Sequence, residues 1–276
     1  MKKLFFILLL SSAMWAKILV VSSVAPVSFL AKKIAGDNVK IHTLISGDAH
    51  NYEPKPSDMK AIAKAKIFLA IGVEFEHVWL KKFQSKNLLI AKLDENITKI
   101  KSEHEHDHEH EHEHELDTHI WLDPINAKII AKNIANALIA VNSEHKSLYE
   151  QNLNKLLNEL DELDNYAKTE LAGLKRRAFI VYHPAWGYFA KRYNLEQISI
   201  EKSSKEPTIS ELANIIKNAK DTGVSAIFAS PQYSKRSAEA IAKEINAKVV
   251  LIDPLGADYF IALKNAIKAF KSANSN

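Results

Sequence analysis

Cysteine is absent from the 276-residue chain. Disulfide staples, thiol nucleophiles and thiolate zinc sites are therefore excluded, and no residue is left to carry a cysteine-linked lipid anchor. Glycine is scarce, at 7 residues, and with 47% hydrophobic and 25% charged residues the composition is neither collagen-like nor disordered. Neither sign of charge dominates. Lys and Arg number 37 against 33 Asp and Glu, a formal net charge of +4, and the lysines are scattered, which argues against a dedicated nucleic-acid binder. Beyond the first residues no apolar run reaches the length of a membrane-spanning helix. What remains is an ordinary globular composition, long enough for one large domain or for two of about 120 to 130 residues, each with its own core. The unusual feature is the placement of the 12 histidines, six of which fall between His104 and His114 in alternation with acids.

The chain opens with Lys2 and Lys3, an apolar run over residues 4–10, and a small-residue end at Ser11, Ser12 and Ala13. A basic start, a short apolar core and a small-residue end make a secretory signal peptide, expected over residues 1–16 with cleavage after Ala13 or Ala16. The mature chain is expected to be exported and soluble.

From residue 17 onward, short β-rich runs alternate with helical patterns. Strands are expected at 17–24, 39–45, 66–71 and 88–93, and again at 178–182, 196–200, 224–229 and 248–252. The helices between them are expected at 26–35, 59–64 (capped by Ser57 and Asp58), 76–83, 186–193, 209–219, 237–245 and 258–271. Nearly continuous apolar strands separated by helices imply parallel sheets covered on both faces. Between the two sets, residues 124–177 are helical almost throughout, with a break at Asn142–Ser143. A helix from Ser143 to Gly173 is expected, roughly 45 Å long at 1.5 Å per residue. The fold class is thus α/β, with two lobes, each a parallel sheet flanked by helices, joined by a long rigid helix. The expected divisions are an N-terminal lobe over 17–123, with a His- and acid-rich insertion at 103–115, linking helices over 124–177 and a C-terminal lobe over 178–276.

Ligands of doubly wound sheets gather at the carboxyl ends of strands. Four residues competent to bind a metal stand there. His50 lies in the loop after the second strand, and His119 just before the middle helices. His183 ends the strand over 178–182, and Asp253 ends the strand over 248–252. Three imidazoles and a carboxylate suit a tetrahedral shell for a borderline cation such as Zn²⁺. Pro184 and Pro254, directly after two of the four, restrict the local backbone, as a preformed site requires. His42, His77 and His145 are expected to be structural or solvated.

Residues 103–115 hold six histidines (His104, His106, His108, His110, His112 and His114) and seven acids, with nothing apolar. Such a stretch has no surface to bury. Its alternating donors suit weak, multiple binding of transition metals that fades as the pH falls through the imidazole range. It ends four residues before His119.

With these motifs assembled, the chain resembles the periplasmic zinc-binding proteins (ZnuA type) of bacterial high-affinity zinc ABC importers, metal-binding solute receptors with a rigid helical linker. The resemblance spans the whole mature chain and rests on GDAHNYEP, the His-rich insertion, HIWLDP, YHPAWGYFAKRY and IDPLG. It places the metal ligands on His50, His119, His183 and Asp253. It implies Zn²⁺ as transported ligand, an inner-membrane ABC permease with its ATPase as partner, a monomer, no nucleic acid and no enzymatic activity. Asp253, Glu53 or a water could complete the shell. A manganese or iron receptor of the same superfamily is the nearest alternative, although such receptors commonly carry Glu where His183 stands. A zinc hydrolase using Glu53 or Glu201 as base, or a buffer relying on the insertion alone, are alternatives of other classes.

Overall fold

The computed structural model describes residues 17–45, 47, 49, 52–83, 87–102, 116–201, 208–222, 224–233 and 235–274. The expected signal peptide, the insertion at 103–115 and His50 lie outside the described residues.

Every expected strand forms, and all pair in parallel. β1 (Ile18–Val24), β2 (Val39–Ile45), β3 (Ile67–Ala70) and β4 (Leu89–Lys92) make one sheet in the order β2-β1-β3-β4. β5 (Ala178–Val181), β6 (Glu196–Ser199), β7 (Ala226–Ala229) and β8 (Lys248–Leu251) repeat that order as β6-β5-β7-β8. The inner strands β3, β5 and β7 are buried along their whole length, because helices cover both faces of a parallel sheet. In each sheet the chain turns one way from the first strand and the other way from the third. The β1/β3 and β5/β7 junctions are therefore the crevices open to a ligand.

The first sheet carries α1 (Ala25–Ala35), α2 (Pro56–Lys64) and α3 (Glu74–Trp79). The second carries α6 (Gly187–Arg192), α7 (Ile209–Thr222), α8 (Lys235–Glu244) and α9 (Tyr259–Asn274). Of these helix starts only that of α7 is as expected: α1, α6 and α9 shift by one residue, α3 and α8 begin two residues early and α2 three. α2 begins at Pro56, not after Ser57–Asp58, because proline is preorganised for the first helical position and Asp58 reaches back to accept from Lys55 N at 2.9 Å. α3 begins at Glu74 rather than Glu76. The buried Glu76 carboxylate takes the N–H groups of Ile71 (3.0 Å) and Gly72 (2.7 Å) and the Ser23 hydroxyl, tying the ends of β1 and β3 together. Burial pushes Glu76 up to about 7.

Between the sheets run α4 (Pro124–Val141) and α5 (Lys146–Leu171). The break at Asn142 is present, but residues 143–145 form a single 3₁₀ turn, so α5 starts three residues later than expected and Ser143 makes no cap. Asn142 closes α4 through its N–H to Leu138 O (2.8 Å), and its amide donates to Tyr149 OH (3.1 Å). The 26 residues of α5 span about 39 Å. Leu156, Leu160, Leu163, Ala167 and Leu171 form its buried stripe. α5 packs on α1 and α4 and, at its far end, on α9. It is therefore braced against both halves.

A single hydrophobic core runs from Val20 in β1 through α4 and α5 to Phe270 in α9. A smaller one lies on the other side of the second sheet, under α7 and α8. Polar ties join the halves as well. Trp121 Nε1 donates to Pro254 O (2.8 Å) and Tyr259 OH to Trp121 O (2.8 Å), while Tyr193 OH donates to Asp164 of α5 (3.0 Å). Among the described residues no helix is long and apolar enough to cross a membrane.

Candidate metal centre

His183 stands two residues past the end of β5, and the strand pairing determines its surroundings. The parallel ladder of β5 and β6 continues one step further, with Glu201 N donating to Tyr182 O at 2.9 Å, which sets Glu201 alongside His183. Glu201 Oε2 lies 2.8 Å from His183 Nδ1, and both side chains are buried. Tyr233, after β7, stacks on the other face of the ring at 4.9 Å between centroids. His119 comes from the stretch between the insertion and α4. Asp117 Oδ1 accepts from both its backbone N–H (2.8 Å) and its Nδ1 (2.9 Å).

Asp117 is itself wedged. A Cβ at Gly187 would stand 2.7 Å from Asp117 Oδ2, so only glycine lets α6 approach this closely. Tyr188 OH donates to Asp117 O (2.9 Å) and accepts from Ile100 N (3.2 Å). It thereby clamps the two chain segments, bridged at Lys101 and Leu116, between which the insertion lies.

With Nδ1 of each ring facing a carboxylate, Nδ1 carries the hydrogen and Nε2 presents its lone pair. The two Nε2 atoms are 3.4 Å apart. A tetrahedral zinc with Zn–N of about 2.0–2.1 Å sets its nitrogen ligands about 3.3–3.4 Å from each other. The pair thus has the spacing of one edge of a zinc tetrahedron.

Both histidines line a cavity of about 20 Å³, bounded also by Gly47, Ala49, Glu74, Trp121, Gln232 and Tyr233. A space of that size holds one ion or one water. Gly47 and Ala49 flank the loop of His50, whose own side chain is outside the described residues. Beyond it, Asp58 accepts from Tyr52 OH (2.8 Å) and pairs with His42 Nε2 (2.9 Å).

Asp253 follows β8. Its Oδ1 accepts from Gln232 Nε2 (2.8 Å) and Leu255 N (2.9 Å), and its neighbours Pro254 and Leu255 line the cavity. Glu53 is exposed and is not part of the cavity wall. Among the described residues no three His, Asp or Glu side chains gather as a metal cluster, so the described convergence is the imidazole pair. The accessory residues His104 to His114 lie outside the described residues. His77 is exposed, and His145 faces Glu144 at 3.7 Å. Asp117, Glu74, Gln232 and Tyr233 were not anticipated from the sequence. The strand-end rule, applied to Gln and Tyr after β7 as well as to His and Asp, would have found two of them.

Two like-ordered parallel sheets, tied across a helical spine with an ion-sized, histidine-bearing cavity between their strand ends, define a two-lobed solute receptor. The chain belongs to the family described as "Zinc-uptake complex component A periplasmic", whose model matches residues 20–273. The high-affinity zinc uptake system protein ZnuA of Bacillus subtilis is 30% identical over 280 residues, covering 93% of this chain and 88% of that protein. A crystal structure of ZnuA superposes with a TM-score of 0.89 at 36% identity, covering 94% of this chain and 100% of that one. A zinc-bound ZnuA deletion mutant superposes with a TM-score of 0.88, also at 36% identity, covering 95% and 99%.

Proposed function

We propose that this chain is a periplasmic receptor that binds one Zn²⁺ between its lobes and hands it, as a monomer, to an inner-membrane ABC permease and its ATPase. His50, His119 and His183 supply imidazoles, and Asp253 lies at the fourth position. The observation that carries the proposal is the 3.4 Å separation of the His119 and His183 Nε2 atoms, each ring fixed by a carboxylate on its far nitrogen. Two described imidazoles favour zinc over manganese, which prefers oxygen donors. The membership and the names of the relatives support the same cargo.

A hydrolase is disfavoured by specific contacts. Glu201 is committed to His183 Nδ1, and Glu53 is outside the cavity wall. The divisions at 17–123, 124–177 and 178–276 fit this arrangement, with the ligands drawn from both outer parts.

Titration of the metal-free protein with zinc against a chromophoric chelator is expected to reveal one tight site. Deleting residues 103–115 should leave that site intact and remove only weaker binding. Loss of all binding on deletion would instead make the insertion the main receptor. Glu201→Ala should weaken the tight site by about 10- to 100-fold, as removal of a carboxylate supporting a metal-bound histidine does. An unchanged affinity in that variant would show that His183 needs no such support.

A further inference from the structure

Gln232 lies in the turn after β7 and lines the cavity together with His119 and His183. Its two amide ends have different surroundings. Nε2 donates to Asp253 Oδ1 at 2.8 Å, the oxygen that also accepts from Leu255 N at 2.9 Å. Oε1 is buried and has no hydrogen-bond partner among the described residues. A buried acceptor without a donor is unfavourable in the free protein and needs a reason. Here the reason is local. The cavity has room for a single ion, and a cation is the charge that an amide oxygen favours.

The geometry points to Gln232 as the residue that positions the fourth metal donor. Two donors on Oδ1 fix the Asp253 carboxylate; Asp253 itself is not part of the cavity wall, but Gln232, Pro254 and Leu255 are, so Oδ2 is the oxygen assigned to the cation. The Gln232 amide dipole has its positive end on Asp253 and leaves its oxygen to the cargo. It stabilises a cation in the cavity and opposes an anion. Gly256, whose Cβ would come within 2.6 Å of the Ala262 side chain, lets the turn from Asp253 pack closely on α9 and so holds Asp253 near β7. The assignment rests on the zinc site proposed above.

The test compares Gln232→Leu, Gln232→Glu, Asp253→Ala and the Asp253→Ala/Gln232→Leu double variant of the full chain. Each is loaded with Zn²⁺ for affinity and with Co²⁺ for its visible ligand-field spectrum. Gln232→Leu is expected to weaken zinc by about 10- to 100-fold and to shift the cobalt bands. The double variant should lose less than the sum of the single losses, since Gln232 acts largely through Asp253. Gln232→Glu retains size and acceptor oxygens but sets a carboxylate against Asp253, so it should not restore the wild-type spectrum; it also keeps the test open if the leucine variant does not fold. Unchanged affinity and spectrum in Gln232→Leu, full additivity in the double variant, or restoration by glutamate would each overturn the role of Gln232. Failure of the wild-type chain to bind either metal tightly would instead remove the zinc site itself.

Discussion

Replacing His183 by alanine is expected to lower zinc affinity by about 10²- to 10³-fold. Structural zinc sites with four protein ligands are worth about 10–16 kcal/mol at neutral pH, so one ligand accounts for about 3–4 kcal/mol, and each 1.4 kcal/mol is about tenfold. In the proposed site His183 would close one edge of the tetrahedron, its Nε2 atom lying 3.4 Å from that of His119. No neighbouring imidazole on β5 or β6 can take its place. Thermal denaturation offers an independent readout. At free zinc about 100 times the native Kd, bound metal stabilises the fold by about 2.7 kcal/mol, and a 100-fold weaker site retains only about 0.4 kcal/mol of that. The substitution leaves Glu201 buried without its ring partner, so metal-free melting must be compared in parallel. His77→Ala, at an exposed position on α3, is the control expected to leave both measurements unchanged. Equal affinities for His183→Ala and the native chain would exclude this histidine from the shell.

Asp123→Ala should cost about 2–4 kcal/mol of stability, a large loss for a polar residue. Asp123 is buried and serves two elements. Its Oδ1 caps α4 through Ile125 N at 2.8 Å, and both oxygens bind Arg192 of α6, the shortest contact being 2.7 Å. The carboxylate also holds the Arg192 guanidinium above its ordinary range. Loss of a helix cap costs about 1 kcal/mol, and loss of hydrogen bonds to a charged group about 1.5–3 kcal/mol. The total stays moderate because Arg192, with 36% of its side chain exposed, can turn to water once its partner is gone. At about 2–4 °C per kcal/mol for a chain of this size, the melting temperature should fall by roughly 4–16 °C. Asp123→Asn keeps the cap and should recover part of the loss. Calorimetry of the metal-free variants decides between this account and a purely local role, in which alanine and asparagine would both melt like the native chain.

The sheets were legible because burial on both faces writes each strand as an apolar run, and because that pattern occurs twice. That His183 and Asp253 stand just past strand ends was legible for a related reason, since the residues after β5 and β8 lie where parallel sheets bind ligands, whereas His119 follows no strand and precedes α4. What sequence could not show was which partners these rings meet. Glu201 becomes a partner of His183 only through the register of β5 against β6, a long-range relation invisible in spacing. Asp117 stands two residues before His119, but its orientation depends on the absence of a side chain at Gly187, 70 positions away. The Ser143 helix start failed because Asn142 bonds to Tyr149 and the chain passes through a 3₁₀ turn before α5. Asp123, read as part of a family motif, proves to be the residue that latches α6 to the start of α4.

The division of the apolar interior into two clusters gives the two faces of the second sheet unequal cooperativity. Its inner face, through Phe179, Val181 and Phe228, belongs to the large core shared with α4, α5 and the first sheet. Its outer face, with Ile180, Tyr182, Ile227, α7 and α8, forms a small cluster of its own. Local opening costs least where a unit shares the fewest buried contacts with the rest, so α7 and α8 are expected to open before α4 and α5. Tyr182, Ile200 and Tyr233 belong to that unit or pack against it, and they border His183, Glu201 and Gln232. His183, proposed above as a ligand, thus stands where the two apolar clusters meet. Amide exchange in α7 and α8 should accordingly be faster than in α5.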